Sequence, residues 1–379
     1  MKKILIASQS TIPHYRVPFY NALERLRPAT WGFDVVFDST ESTAKRFFKE
    51  PIDLLSLEFS TLPVRTFFIS IASKTYCYQN FWLKAANYDL VIVENAVNNL
   101  TYPLCHLHQF RGTRIAYWGH GKDRTVAKIS GYKHLSEQLK MQLSRRANGF
   151  FAYTDGVKAY LEMNGVSPEK VFVTNNTIDI NEQRRAFEKW MPSRNAIREK
   201  MGLQGKRVLI FVGRFIQNRK IDFLLSAFSI LCKQDSNYHL ILVGDGGQSI
   251  FASKQDNISY MGTVVDLEEL APLYVASDVY IIPGAVGLGP VQALCYDLPI
   301  ITMDTVGHGP EIEYLSSANS IVLNRDTTPE EYAQTILDFM SDPIRLETFK
   351  SNIWESIKHL TIDQMAQNFI NGINAILED

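Results

Sequence analysis

The stretch between Asp278 and Glu313 places the strongest constraint on how this chain can fold. It opens with the apolar run Val279–Ile282, short enough for a strand buried on both faces, and a glycine-rich turn follows at residues 283–289. A helix is predicted at 290–296, because proline suits the first helical turn, and a further strand at 298–302. Such a βαβ unit presents backbone N–H groups that can bind phosphate. The alternative is that its glycines only permit close packing.

Short apolar runs alternate with helical patterns along the whole chain. Further strands are predicted at 3–8, 34–37, 89–94, 114–118, 149–154, 171–174, 207–212, 239–243 and 258–261, and further helices at 17–27, 133–147, 221–233 and 363–379. This alternation indicates parallel sheets with helices on both faces. The length of 379 residues exceeds one ordinary domain. The predicted class is α/β with two Rossmann-like domains, at 1–180 and 181–362. No elements are assigned in the aromatic and basic stretch 40–85.

The charge is distributed unevenly although the net charge is only −1. Residues 1–178 carry +8 and the remaining residues carry −9, counting Lys and Arg against Asp and Glu. A basic half suggests contact with an anionic surface or a phosphorylated substrate, unless the imbalance is spread over solvated faces. The four cysteines form no CxxC motif, and no apolar run approaches the roughly 20 residues that cross a bilayer. The expected location is therefore cytoplasmic.

Two polar loops in the first half are candidate binding sites. The loop after the first predicted strand lacks the GxGxxG motif, which argues against a nicotinamide or flavin enzyme. There His14 and Arg16 are placed to meet a substrate anion, or else are surface residues. Further on, His120 stands between Gly119 and Gly121 just after a strand, where it can offer a ring nitrogen to a bound group.

Two other patterns in this half have plainer interpretations. Cys105, His106 and His108 resemble a metal cluster, but helix positions two apart do not face one another, so no metal site is predicted. The helix at 133–147 combines leucines with Lys and Arg. It is either an interfacial helix for an anionic membrane or an ordinary amphipathic surface helix.

A basic loop follows the first strand of the second half. Gly213 and Arg214 end that strand, and Arg219 and Lys220 precede the next helix. Two guanidinium groups at a strand end favour an anion with several oxygens, such as a diphosphate, which arginine holds in a bidentate fork. The alternative is a set of basic residues on a solvated loop.

With these motifs the chain resembles the retaining, two-domain GT-B glycosyltransferases of family 4, and its PGxVGL turn resembles a divergent subset of them. The motifs are IPHYRVPFY from Ile12, Trp118-Gly-His-Gly, Asn175-Asn-Thr-Ile-Asp, Gly213-Arg214 with Arg219, Val243-Gly-Asp-Gly, and residues 283–313. The resemblance implies two Rossmann-like domains that face each other across a cleft. It also implies that the helix at 363–379 packs back on the N-terminal domain.

The resemblance also assigns roles to residues. Arg214 and Arg219 would hold the donor diphosphate, and His120 would lie beside the transferred sugar. Donor contacts are expected from Gly213, Lys220, Gly246, Gly262, Thr263, Gly287, Leu288, Gly289, Gln292 and Glu311, and acceptor contacts from His14, Tyr15 and Arg16. The family usually carries two glutamates eight residues apart around the turn, but Gly284 and Gln292 stand at those positions here.

The implied activity is metal-independent transfer of a hexosyl group, with retention, from a nucleotide-diphosphate-sugar to an acceptor hydroxyl. Cell-surface glycan or glycolipid assembly is the expected setting. The expected partners are the sugar donor, a glycan or lipid-linked acceptor, and an anionic membrane touched peripherally at the inner face of the plasma membrane. Neither a cofactor nor nucleic acid is expected. The alternatives are a nucleotide-sugar 2-epimerase and a non-catalytic member that binds nucleotide or glycan.

Overall fold

The computed structural model describes residues 1–7, 12–38, 57–71, 74–122, 132–246 and 256–378. These residues form two compact units. The first contains the described residues through Ile178 together with those from Thr361 onward, and the second contains those from Asp179 to Leu360. The start of the loop after the first strand (8–11) and residues 39–56 of the unassigned stretch lie outside the described residues.

Each unit is built on a parallel sheet. The strands are β1 (Lys2–Ala7), β2 (Trp31–Phe37), β3 (Ser60–Pro63), β4 (Thr66–Ile71), β5 (Lys74–Gln79), β6 (Leu90–Glu94), β7 (Arg114–Gly119), β8 (Gly149–Ala152), β9 (Val171–Val173), β10 (Arg207–Val212), β11 (Tyr238–Val243), β12 (Ile258–Gly262), β13 (Val279–Ile282), β14 (Ile300–Met303) and β15 (Ser320–Leu323). The strand order is β3-β2-β1-β6-β7-β8-β9 in the first unit and β12-β11-β10-β13-β14-β15 in the second. Strands β4 and β5 form a separate antiparallel hairpin. The predicted class of two Rossmann-like α/β folds is confirmed.

Helices connect the strands. They are α1 (Val17–Leu26), α2 (Trp82–Ala85), α3 (Thr101–Cys105), α4 (Tyr132–Arg146), α5 (Asp155–Met163), α6 (Ile180–Trp190), α7 (Arg194–Lys200), α8 (Ile221–Gln234), α9 (Leu267–Ala276), α10 (Leu288–Leu294), α11 (Pro329–Met340), α12 (Pro343–Ile357) and α13 (Ile362–Glu378). Short 3-10 helices occur at His14–Arg16, His106–Arg111, Pro168–Lys170, Met191–Ser193, Gln217–Arg219 and Pro310–Tyr314. No helix in the described ranges combines the length and apolarity needed to cross a membrane.

The sheet of the first unit is buried on both faces. One face packs against α1 and the C-terminal helix α13, where Phe19 and Phe369 meet edge to face at 5.3 Å. The other face packs against helices that include α3 and α5, through Tyr102 and Leu161. Because the apolar runs of β1 and β6 must fill both layers, they lack the polar alternation of a half-exposed strand.

Helices of the second unit also bury one apolar face. Helix α8 buries Ile221, Leu224, Phe228 and Leu231, which recur at the three- and four-residue spacing of one helix face. Helix α11 begins with a capping box in which Thr328 and Glu331 bond each other's backbone N–H groups.

Several observed elements were not assigned from sequence, among them strands β3, β4, β5 and β15 and helices α11 and α12. Strand β15 was not predicted, because its four residues are only partly apolar and partly buried. In helix α4, Leu135 and Leu139 are exposed, and Met141 and Ser144 are buried. The side chain of Asn95 donates to the Ser144 hydroxyl at 3.1 Å, so a polar contact with the end of β6 fixes the helix face.

Candidate functional site

The carboxyl edge of the second sheet contains a topological switch point. Strand β10 lies between β11 and β13, so the connections that leave β10 and β13 diverge. In open parallel sheets such a divergence forms the crevice that binds ligands. The basic loop at 213–220 follows β10, and the glycine turn at 283–287 follows β13. The sheet therefore brings these two predicted motifs side by side.

Glycines allow the loops after β10, β11 and β12 to pack backbone against backbone. A Cβ atom on Gly244 would collide with the Gly213 carbonyl, and one on Gly246 would collide with the Phe215 carbonyl. The amide of Gly244 in turn donates to the Gly262 oxygen at 2.7 Å. Gly213, Gly246 and Gly262 thus lie in loops whose backbones are in direct contact. Side chains at positions 244 and 246 would push the loop after β11 away from the loop after β10.

The turn after β13 is held from both sides. On one side, the Ala285 amide donates to the Asn218 carbonyl at 2.8 Å. On the other side, the Val286 amide donates to His308 Nδ1 at 2.9 Å, and the Val286 carbonyl accepts from the Gly309 amide at 2.7 Å. The sequence analysis overlooked His308 as a support, although it stands in the same stretch as Glu311. These bonds fix the path of the turn.

Arg219 lies along this turn. Its guanidinium donates to the Ala285 carbonyl and approaches the Cβ position of Gly287 to 3.5 Å. Its Nε is buried and has no hydrogen-bond partner among the described residues. Burial lowers the pKa of Arg219, and the neighbouring Arg214 lowers it further. The positive charge of Arg214, which is exposed in the same loop, thus acts on the buried guanidinium of Arg219.

The two arginines have no local counter-ion in direct contact. No residue in the described ranges forms an ion pair with either of them. The buried carboxyl of Glu311 acts on Arg219 through its charge and opposes the lowering of the Arg219 pKa. Because adjacent cations repel, a bound polyanion would stabilise this arrangement.

Two predicted donor residues are engaged elsewhere in the unit. Lys220 adopts left-handed backbone angles, with φ at 53°, and its ammonium lies 5.8 Å from the ring centre of Phe223. The amide of Gln292 donates to Gln183 at 3.1 Å and accepts from the Tyr274 hydroxyl at 3.3 Å. Both polar ends of Gln292 are thus hydrogen-bonded within the unit.

Helix α10 begins at Leu288, directly after the turn. Its cap is Gly287, which offers no side-chain oxygen to the amides of the first turn. A Cβ atom on Gly289 would come within 2.9 Å of the Tyr280 hydroxyl. A glycine is therefore needed for close contact between this helix and the sheet.

In the first unit, Arg16 lies within an aromatic cluster. Its guanidinium carbon is 4.8 Å from the ring centre of Trp118 and 5.5 Å from that of Tyr153, and its Nη2 donates to the Tyr153 hydroxyl at 3.2 Å. The residue is buried, whereas its neighbours His14 and Tyr15 are exposed. Arg16 is thus neither the loop residue that a substrate would meet directly nor the surface residue of the alternative interpretation.

His120 lies at the same edge of the first sheet. It is exposed just beyond β7, and its ring meets Tyr153 edge to face at 4.7 Å. Gly121, with φ at 74°, turns the chain away directly after it. Tyr153 therefore connects His120 to Arg16, a link that could not be found from sequence because Tyr153 follows a different strand.

An ionisable side chain that the sequence analysis missed occupies the end of β6. Glu94 pairs in register with Trp118 and is partly buried. Its carboxylate receives no hydrogen bond from the described residues. Burial raises the pKa of Glu94 to about 7, although the cations Lys140 and Arg16 act in the opposite direction. A group that changes charge near neutral pH thus lies beside the Arg16 cluster.

The histidines near Cys105 have protein partners. The two ring nitrogens of His106 lie 2.9 Å from Gln109 Oε1 and 2.8 Å from the Tyr117 hydroxyl. His108 Nε2 lies 2.8 Å from the Trp82 carbonyl. Across the described ranges, no group of three or more His, Cys, Asp or Glu residues is arranged to hold a metal ion.

Comparison with known proteins indicates which family the second unit resembles. Residues 206–342, which include the switch point of the second unit, match a family model described as glycosyl transferases group 1. Both sheets share the GT-B fold of solved structures. The region around Arg214 and Arg219 thus resembles the group 1 glycosyl transferases, and the fold of the two units is of the GT-B type.

Individual curated proteins are similar to this chain at low sequence identity. The chain is 27% identical over 170 residues to an uncharacterized 41.2 kDa protein in the cps region of Klebsiella pneumoniae, with 44% of each protein covered. It is 22% identical over 197 residues to spore coat protein SA of Bacillus subtilis, with 47% of this chain and 52% of the relative covered. The chain thus spans about half the length of these curated relatives.

Two solved structures share the fold over nearly the whole chain. The HepE protein of Anabaena in complex with UDP superimposes with a TM-score of 0.70 at 15% identity, over 99% of this chain and all of that one. A putative UDP-N-acetylglucosamine 2-epimerase of Listeria monocytogenes superimposes with a TM-score of 0.62 at 13% identity, over 100% and 97%. At 13% to 15% sequence identity, these two structures are similar to this chain in fold alone.

Proposed function

We propose that this protein is a retaining glycosyltransferase of family 4 that transfers a hexosyl group from a nucleoside-diphosphate-sugar to an acceptor hydroxyl. The observation that carries the proposal is the placement of Arg214 and Arg219 in the loop after β10 at the switch point, with Arg219 bonded to the turn after β13 and neither arginine in an ion pair within the described part of the chain. The group 1 match over the same residues supports it. So does the HepE structure, which contains UDP.

The chemistry would rest on neutralising the leaving diphosphate. Arg214, Arg219 and the amides at the start of α10 would bind its oxygens, in the role that a metal ion plays in other transferases. The bond from the anomeric carbon to phosphate oxygen breaks while the bond to the acceptor oxygen forms on the same face. The departing phosphate oxygen takes the acceptor proton, and His120 orients the sugar. The nucleoside would lie against Gly262 and Thr263.

The first unit would bind the acceptor near His14 and Tyr15, with Arg16 and Tyr153 holding the shape of that edge. We propose a glycan or lipid-linked acceptor used in surface-glycan assembly on the cytoplasmic side of the membrane. The positive charge of residues 1–178 supports an anionic acceptor or surface. The relatives described as a cps-region protein and a spore coat protein support a surface glycan.

Replacing Arg219 tests the donor site. Arg219→Lys keeps a charge but loses the bidentate fork, and Arg219→Ala loses both, so UDP affinity should fall about tenfold and about a hundredfold respectively. Titration calorimetry with UDP measures this, and Arg185→Ala, which removes an exposed cation of the same unit, is the matched control. Unchanged affinity in Arg219→Ala would refute the proposal.

A 2-epimerase is the second candidate, since a putative enzyme of that kind shares the fold. Incubation with a nucleotide-sugar discriminates between the two. An epimerase converts the donor to its C2 epimer with no acceptor present, whereas a transferase releases nucleoside diphosphate and requires an acceptor for full turnover. His120→Ala should reduce transfer more than UDP binding, because His120 is proposed to contact the sugar and not the diphosphate.

A further inference from the structure

A stripe of apolar side chains lies on the outside of the first unit. Leu100, Leu104, Leu107 and Phe110 follow one another at spacings of four, three and three residues along α3 and the 3-10 helix after it. A spacing of four keeps side chains on one face of an α-helix, and a spacing of three does so in a 3-10 helix. Their exposed fractions are 42%, 39%, 51% and 90% in that order.

The opposite face of this segment is fixed to the protein. Thr101, Cys105 and His108 are buried there at the same spacings. The Thr101 hydroxyl donates to the Gln79 carbonyl at 2.9 Å, and His108 is bonded to the Trp82 carbonyl. Because these polar contacts would be lost on rotation, the segment cannot turn its leucines inward.

A neighbouring helix adds a fifth apolar side chain. Leu83 of α2 is 73% exposed, and the adjacent Trp82 donates its indole N–H to the Leu104 carbonyl at 3.0 Å. The outer apolar patch is defined as Leu83, Leu100, Leu104, Leu107 and Phe110. A cluster of exposed leucine and phenylalanine side chains of this kind marks an interaction surface.

The charged residues next to members of the outer apolar patch in sequence are basic. Lys84 and Arg111 are exposed beside its members Leu83 and Phe110. The segments 59–88 and 95–122, which contain the whole patch, include no Asp or Glu. Apolar insertion with a cationic border complements anionic headgroups, whereas protein interfaces ordinarily carry a rim of mixed polarity.

We propose that the outer apolar patch docks the first unit on an anionic phospholipid bilayer, with Phe110 and Leu107 entering the interface and Lys84 and Arg111 meeting the headgroups. The helix α4, considered from sequence as the membrane element, is not needed for this contact. Docking itself depends only on the patch. Its purpose, access to a lipid-borne acceptor, rests on the proposed function.

Vesicle co-sedimentation of the full chain tests the proposal. Wild type should bind vesicles of phosphatidylglycerol and phosphatidylcholine and bind pure phosphatidylcholine much more weakly. The double variant Leu107→Ser with Phe110→Ser should lose on the order of tenfold or more in partitioning. Lys84→Gln with Arg111→Gln should reduce binding at low salt more than at high salt. Met163→Ser, which alters an 87% exposed side chain elsewhere in the unit, is the matched control and should bind as wild type.

Equal binding by the double variant and the control would overturn the proposal, and so would a wild type that binds no anionic vesicle. Loss of self-association in the double variant without any vesicle binding would assign the patch to contact between copies of the chain, which also overturns it. UDP affinity measured on the same samples separates the two proposals. Vesicle binding without UDP binding leaves the docking intact and removes the proposed function.

Discussion

At the scale of single residues, Glu94 has the most unusual environment among the ionisable groups beside the candidate acceptor edge. Its carboxylate ends β6, is partly buried, and gains no hydrogen bond from the described residues around it. The cations Lys140 and Arg16 offset only part of the cost of burial, because the pKa of Glu94 still rises from 4.5 to about 7. The folded protein therefore prefers this side chain neutral.

This preference predicts how stability depends on pH. A raised carboxyl pKa gives stability that is complete below the unfolded value and is lost as pH rises through the folded value. The stability advantage of Glu94→Gln over wild type should therefore grow by about 3 kcal/mol between pH 4.5 and about pH 8 and stay level above that. Urea denaturation across this range measures it. Gln138→Ala, which changes an exposed side chain that carries no charge, should show no such growth.

At the scale of elements, the turn after β13 explains why Gly284 stands where the family that this chain resembles usually has a glutamate. A Cβ atom on Gly284 would collide with the Asn218 carbonyl and the Arg219 backbone. Any side chain at this position would push apart the two loops that orient Arg219. The loop after β10 occupies the space that a carboxylate side chain at position 284 would need. The same close contact places the Arg219 guanidinium along the turn after β13.

Gly284→Ala should therefore destabilise the second unit by about 1–3 kcal/mol and weaken UDP binding, because the loops must separate to admit one methyl group. Chemical denaturation and titration calorimetry measure the two effects. Gly32→Ala is a suitable control, since its added Cβ would make only an ordinary 3.4 Å contact with the Met1 side chain. A Gly284→Glu variant with wild-type stability would contradict the account given for the missing carboxylate.

At the scale of the whole molecule, the end of the chain completes the core of the first unit. Phe369 of α13 stacks on Phe151 of β8 with ring centres 4.1 Å apart, and Trp31 of β2 donates to Asn374 at 2.9 Å. A Cβ atom on Gly372 would lie 2.8 Å from the ring of Phe172. Helix α13 thus supplies, together with α1, the layer that covers one face of the first sheet.

Phe369→Ala should destabilise the first unit by about 3–5 kcal/mol, the cost of emptying a buried phenylalanine site. Hydrogen exchange followed by mass spectrometry should show faster exchange in β6 to β9, with β10 to β14 unchanged. Phe110→Ala removes the same side chain from an exposed position and should leave both sheets as in wild type. Equal acceleration in both sheets would show that the units do not unfold separately.

Much of the fold was predictable because local patterns determine it. Val279–Ile282 and Arg207–Val212 were predicted with their observed bounds, since a doubly covered strand must be apolar throughout. The hairpin Thr66–Ile71 with Lys74–Gln79 was not predictable, because an antiparallel pair of mixed polarity has no helix or parallel neighbour to give it a distinctive pattern. Arg214 and Arg219 were found as candidates from their positions after a strand.

The sequence by itself determined the class of fold, the position of the two arginines, and the absence of acidic residues from 59–88 and 95–122, because periodicity, turn chemistry and charge are local properties. Only the tertiary structure decided that Arg16 is buried against Trp118 and Tyr153, that Gly284 admits no side chain, and that Leu107 and Phe110 face outward. Each of these depends on which distant segment lies alongside, and the packing of the whole unit sets that.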